Sequence, residues 1–110
     1  MIDDSRLQSL MEAVKLEEFP GKRHRLRAGF YPTRSLRHTI QKRFGTVTIR
    51  IAETFRSVPE DILRLLGHIL LAKLYGQKID GMLRRRYHAF VEEHILPGHP
   101  VRRRISDRYT

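Results

Sequence analysis

Residues 57–76 constrain the fold more than any other stretch of the chain. Ile62, Leu63, Leu65, Leu66, Ile69, Leu70, Leu71, Ala72, Leu74 and Tyr75 occupy most positions of the helical turn, so a helix here is apolar around most of its circumference. An element with so little wettable surface must be surrounded by the rest of the chain. The spacing therefore predicts a central core helix, with Leu66 and Leu70 fully buried. Its start reads as a capping box: the Ser57 hydroxyl accepts from the Glu60 amide and the Glu60 carboxylate returns to the Ser57 amide. Pro59 is harmless in a first turn whose amides have no intrahelical partner. Gly76 ends the helix.

The flanking segments supply what packs around it. Leu7, Leu10, Met11 and Val14 repeat at i, i+3, i+4, i+7, one face of a helix with Asp3 or Asp4 as N-cap, ended by Phe19-Pro20-Gly21. From His24 the period changes to two. Leu26, Ala28 and Phe30 alternate with Arg25, Arg27 and Gly29, a half-buried strand closed by Pro32. Residues 37–43 and Thr46–Ala52 flank Phe44-Gly45 and read as a hairpin. Asp80 caps a last helix whose Leu83, Tyr87, Phe90, Val91 and Ile95 share a face, and Pro97-Gly98 and Pro100 break it. The expected fold is α+β, a short antiparallel sheet with a central buried helix and flanking helices. Residues 1–100 form a single small domain and residues 101–110 a basic C-terminal tail.

Composition removes several function classes. With no Cys among 110 residues there is no disulfide framework, thiolate zinc site, iron–sulfur cluster or cysteine nucleophile. No apolar run approaches the ~18–20 residues of a membrane span, and the acidic start Met1-Ile2-Asp3-Asp4 has no signal-peptide core, so a cytoplasmic protein without membrane contact is expected. Lys and Arg outnumber Asp and Glu by 22 to 12, a formal charge of +10. Residues 1–18 run against this excess with five acids and two bases, so the chain beyond them is a polycation. Such a field attracts nucleic acid, anionic lipid or acidic protein.

Two zinc ligands on one helix need i, i+3 or i, i+4 spacing, and Leu71 and Ala72 stand at those distances from His68. His68 instead reads as a histidine at the edge of the core. His88 with Glu92, and His94 with His99, are the remaining pairs near enough in sequence to share an ion, and neither makes a metal centre, so no metal and no cofactor is expected. No serine sits in a nucleophile elbow and no glycine-rich phosphate loop is present. The arginines are more telling. Arg84, Arg85 and Arg86 on the last helix, and Arg102, Arg103, Arg104 and Arg108 in the tail, form two clusters, with Arg25, Arg27, Arg37, Lys42, Arg43 and Arg50 in the strand regions. Tyr31, Phe44, Tyr87 and Tyr109 interleave with them and are candidates for stacking on bases, with Phe44 and Tyr87 equally eligible for the core.

Phe30-Tyr31-Pro32, Thr39-Ile40, Val47-Thr48-Ile49-Arg50-Ile51, Val58-Pro59, and above all His68-Ile69-Leu70-Leu71-Ala72-Lys73-Leu74-Tyr75 followed by Arg86-Tyr87, together resemble the N-terminal part of bacterial SprT-like domain proteins, which are similar to zincin-type zinc peptidases. The resemblance covers roughly residues 26–104. It implies shared ancestry and fold and, since SprT-like proteins act on DNA-bound substrates, a link to nucleic acid. It implies no catalysis here. Ile69 and Ala72 stand where H-E-x-x-H needs its glutamate and second histidine. The expected function is a non-catalytic accessory module that engages nucleic acid or a ribonucleoprotein through Arg84, Arg85, Arg86 and the tail arginines. The alternatives are an assembly subunit docking an acidic protein partner, and the split N-terminal half of a SprT-like peptidase.

Overall fold

The Asp3 carboxylate accepts the Arg6 amide at 2.8 Å and so opens α1, Asp4–Glu18. The periodic residues Leu7, Leu10, Met11 and Val14 are all buried along one side of this helix, as their spacing requires. The computed structural model describes residues 1–33 and 36–95, which fall into two compact units, residues 1–79 and residue 80 onward. The basic tail, residues 101–110, lies outside the described residues.

Three strands follow α1: β1, Arg25–Tyr31, β2, Thr39–Arg43, and β3, Thr46–Ala52. The α+β class stands. The sheet is antiparallel only in its hairpin half: β2 pairs antiparallel with β3, whereas β1 pairs parallel with β3, giving the order β1-β3-β2. β2 runs opposite to β1 and the tight hairpin returns β3 in the direction of β1, so β3, lying between them, pairs parallel with β1. Parallel register sets Leu26, Ala28 and Phe30 beside Val47, Ile49 and Ile51, so one continuous apolar face meets the helices. At the hairpin turn Phe44 and Gly45 both take positive φ, 52° and 78°, as a two-residue type I′ turn demands.

The outer edge of β1 is covered by α1. Gln8 spans it, its Nε2 donating to the Leu26 carbonyl at 2.6 Å and its Oε1 accepting the Ala28 amide at 2.7 Å, while Asp4 accepts the Phe30 amide at 3.4 Å. A polar side chain thus replaces a fourth strand and leaves these edge groups satisfied.

Helix α2, Glu60–Leu74, begins later than a capping box at Ser57 predicts. Ser57 closes a 3-10 turn over Glu53–Ser57, Pro59 takes the N-cap position, and its carbonyl accepts the Ile62 and Leu63 amides. The Glu60 carboxylate is free to turn outward. It grips Arg6 of α1 in a two-point contact, with both N–H···O distances 2.7 Å. At the other end Gly76, at φ 67°, lets the Gln77 amide reach the Ala72 carbonyl at 2.8 Å and its own amide reach the Lys73 carbonyl at 3.3 Å, a Schellman closure.

Helix α2 is central. Ile62, Leu63, Leu65, Leu66, Leu71 and Ala72 are buried on several sides of it. The stripe Arg64, Gly67, His68 and Tyr75 faces α1, meeting Glu17, Met11, Glu18 and Phe19 in turn. Leu70 lies off that stripe and is half-buried, so Leu71 takes the buried place expected of it, whereas Leu66 is buried as expected.

The second unit contains α3, Gly81–Phe90, capped by Asp80, whose carboxylate accepts the Met82 amide at 2.8 Å, and a wider π-type turn over Val91–Ile95. Tyr87 is buried and Leu83, Phe90, Val91 and Ile95 are half-buried, the face that the spacing marks. No helix among the described residues is long and apolar enough to cross a membrane.

Candidate nucleic-acid interface

Side chains alternate across a strand, so the residues between the core positions of β1, β2 and β3 all project from the other side of the sheet. The register aligns them in three rows. Arg25, Thr46 and Arg43 form the row nearest the hairpin turn; Arg27, Thr48 and Gln41 form the next; Gly29, Arg50 and Thr39 form the third. Arg25, Arg27, Arg43 and Arg50 are all exposed. From ideal sheet spacings these four arginines stand over a patch roughly 10 Å across and 13 Å along the strands.

The Asp4 carboxylate reaches the β1 edge beside Phe30 and Gly29, and the other ion-paired acids of this unit lie on α1 and α2. The three strands contain five basic residues and no Asp or Glu. Asp4 pairs with Arg56 at 3.1 Å, Glu60 with Arg6, Glu17 with Arg64, and Glu18 faces His68 at 3.8 Å. Every one of these contacts ties α1 to α2 or to the 3-10 turn. Among the described residues Arg25, Arg27, Arg43 and Arg50 have no acidic partner. The nearest pairs of these like charges, at ~7–10 Å separation in water, each oppose folding by about 0.5 kcal/mol before salt screens them, so the cluster is a standing cost to the free protein.

A shallow groove of about 570 Å³ crosses this face between Arg27, Gly29, Tyr31, Gln41, Thr48 and Arg50. Gly29 keeps it open. Its φ is not positive, and a Cβ there would meet only the Asp4 carboxylate, at 3.5 Å, an ordinary contact. Neither backbone conformation nor packing calls for glycine at a strand position that glycine weakens. A glycine that leaves room on the exposed side of a strand fits the close approach of a ligand. The end of the groove is fixed by Tyr31, whose hydroxyl donates to the Arg37 carbonyl at 2.5 Å.

The arginines singled out from their runs behave differently. Arg84, Arg85 and Arg86 are exposed on α3, in the second unit, and helical geometry turns successive side chains about 100° apart, so the three do not form one surface. Arg102, Arg103, Arg104 and Arg108 lie outside the described residues. The sheet arginines stand out in sequence only as scattered bases. The alternation of Arg25 and Arg27 with Leu26 and Ala28 does show which way they point, but their union with Arg43 and Arg50 depends on a parallel pairing that no local pattern signals.

The aromatics divide. Tyr87 is buried, and burial raises its phenol pKa. Phe44 is 98% exposed at the hairpin tip, with the Arg43 guanidinium 5.9 Å from its ring centre. His68 is half-buried against the edge of Phe19, whose ring centre lies 5.7 Å away. His24 stacks on Tyr75 in the same cluster, and desolvation together with Lys42, Lys15 and Lys22 lowers its pKa. Among the described residues no three of His, Asp and Glu converge as metal ligands would. Compared with known proteins, the chain matches no family model, no curated protein and no solved structure.

Proposed function

We propose that this chain is a nucleic-acid-binding accessory module whose open sheet face takes the phosphate backbone. The observation that carries the reading is the unpaired quartet Arg25, Arg27, Arg43 and Arg50 beside a glycine-floored groove, in a unit whose ion-paired acids Asp4, Glu17, Glu18 and Glu60 lie on α1 and α2. Guanidinium groups give phosphate two parallel donors, and the threonine hydroxyls and Gln41 amide between them add neutral donors at the same level. Arg84, Arg85 and Arg86 of α3 and the arginines at 102, 103, 104 and 108 would supply further phosphate contacts. The SprT-like resemblance, with its link to DNA-bound substrates, points the same way, and residues 68–72 lack the glutamate and second histidine that hydrolysis by that family requires.

The test is a salt titration of affinity. Each phosphate contact contributes a slope of about −0.7 to −0.9 in log K against log salt. The double variant Arg27→Gln/Arg50→Gln should bind DNA or RNA oligonucleotides at least tenfold more weakly at low salt, with a slope shallower by about 1.5. Point contacts to phosphate carry no base information, so the loss should be similar for unrelated sequences. An unchanged affinity and slope would overturn the assignment and give first place to an acidic protein partner.

A further inference from the structure

Phe44 occupies a position that folding alone does not explain. The first central residue of a type I′ turn needs positive φ, for which Asn, Asp or Gly is suited and a bulky side chain is not. Phe44 accepts that backbone at φ 52° and recovers nothing from burial, being 98% exposed. A residue that strains its turn and leaves its ring in water has its use outside the fold. Its surroundings narrow that use. The ring projects from the end of the sheet where Arg25 and Arg43 flank Thr46 in register, and the Arg43 guanidinium, which lacks an acidic partner, stands 5.9 Å from its centre. Single-stranded nucleic acid matches this pairing, since it offers phosphates beside flat bases whose faces are open.

We infer that Phe44 stacks on an unpaired base of a single strand whose backbone lies along the arginine rows of the sheet. This rests on the sheet-face reading above and adds to it a preference for single strands over duplex. In a duplex both faces of each base are already stacked, so Phe44 gains nothing there unless it opens the helix.

The full chain should be titrated with an oligothymidylate of roughly a dozen nucleotides, an abasic oligonucleotide of the same length, and a duplex. Phe44→Ala should weaken oligothymidylate binding about tenfold, leave the salt slope unchanged, and alter abasic binding less than twofold. Because the chain has no tryptophan, Phe44→Trp adds a single reporter. Its fluorescence should be quenched by oligothymidylate and not by the abasic strand. Equal losses on both strands, or none, would overturn the inference. So would a Phe44→Trp signal that responds to vesicles of anionic phospholipid but not to oligonucleotide. If Phe44→Ala binds as wild type while Arg27→Gln/Arg50→Gln is weakened, only the stacking fails; if the arginine variant is also unchanged, the sheet-face reading fails with it.

Discussion

His38 ties the connection ahead of β2 to the end of β3, and it can do so only when neutral. Its Nδ1 accepts the Ala52 amide at 3.1 Å and its ring stands edge-on to Phe55 at 4.4 Å, which places any ring proton on Nε2. Burial lowers its pKa to about 4. The folded value lies below the ordinary one, so between these pH values the unfolded chain binds the extra proton. Stability is therefore full above about pH 6.5 and falls as the pH drops toward 4. Discounted for the ring's partial exposure, the loss should reach about 2 kcal/mol near pH 4.5, read from denaturant midpoints. His38→Gln should remove most of that dependence; parallel losses in both proteins would assign it to the carboxylates instead. Single residues also show where sequence reading stops. Phe44 and Tyr87 each sit beside arginines in the chain, yet one is exposed and the other buried. The apolar spacing of α3 marks Tyr87 for burial and the turn that Phe44 shares with Gly45 marks Phe44 for exposure, although the arginines beside each residue do not tell them apart.

At the scale of elements, the local features were legible and the pairings were not. Helix spacing in α1 and α2, the alternation of β1 and β3, and the stops at Gly76 and Pro32 all act over a few residues, and each corresponds to an observed boundary within a residue or two. The start of α2 was misplaced because two local solutions compete for Ser57, and the 3-10 turn holds it. The parallel β1–β3 register and the cover that Gln8 gives to β1 join residues about twenty positions apart. Nothing in a short window encodes either. The α1–α2 crossing is likewise invisible in sequence, although Gly67 is its key. A Cβ added at Gly67 would lie 2.5 Å from the Met11 sulfur, and Met11 is fully buried, with little room to withdraw. Gly67→Val should therefore destabilise the protein by about 2–3 kcal/mol, despite replacing a helix-weakening glycine. A thermal melt within one degree of wild type would show that α1 can slide on α2 and that the crossing is not tightly packed.

At the largest scale, the unit of residues 1–79 separates its paired from its unpaired charges. Ion pairs join the helices, whereas the open sheet face concentrates repulsion, and these two sets respond oppositely to salt. Screening weakens the solvent-facing pairs Arg6–Glu60, Arg56–Asp4 and Arg64–Glu17, and it relieves the arginine cluster. A melt of the wild type alone reports only their sum, so the arginine variant is needed to separate them. Removing Arg27 and Arg50 abolishes five of the six repulsive pairs in the quartet and touches no buried group. At low ionic strength Arg27→Gln/Arg50→Gln should be more stable than wild type by about 1 kcal/mol, a rise in Tm of roughly 4–8 °C for a unit of this size. The gain should shrink as salt is added. A saturating polyanion should reverse the order, because stabilisation by a ligand follows its affinity and reaches about 2.7 kcal/mol at a hundredfold excess over Kd. The wild type should then melt higher than the variant. A surface that weakens the free protein and strengthens the complex is what a binding site looks like in thermodynamic terms. If the variant melts lower than wild type at every salt concentration, the four arginines contribute to the fold itself, and the sheet face loses its claim to be the site.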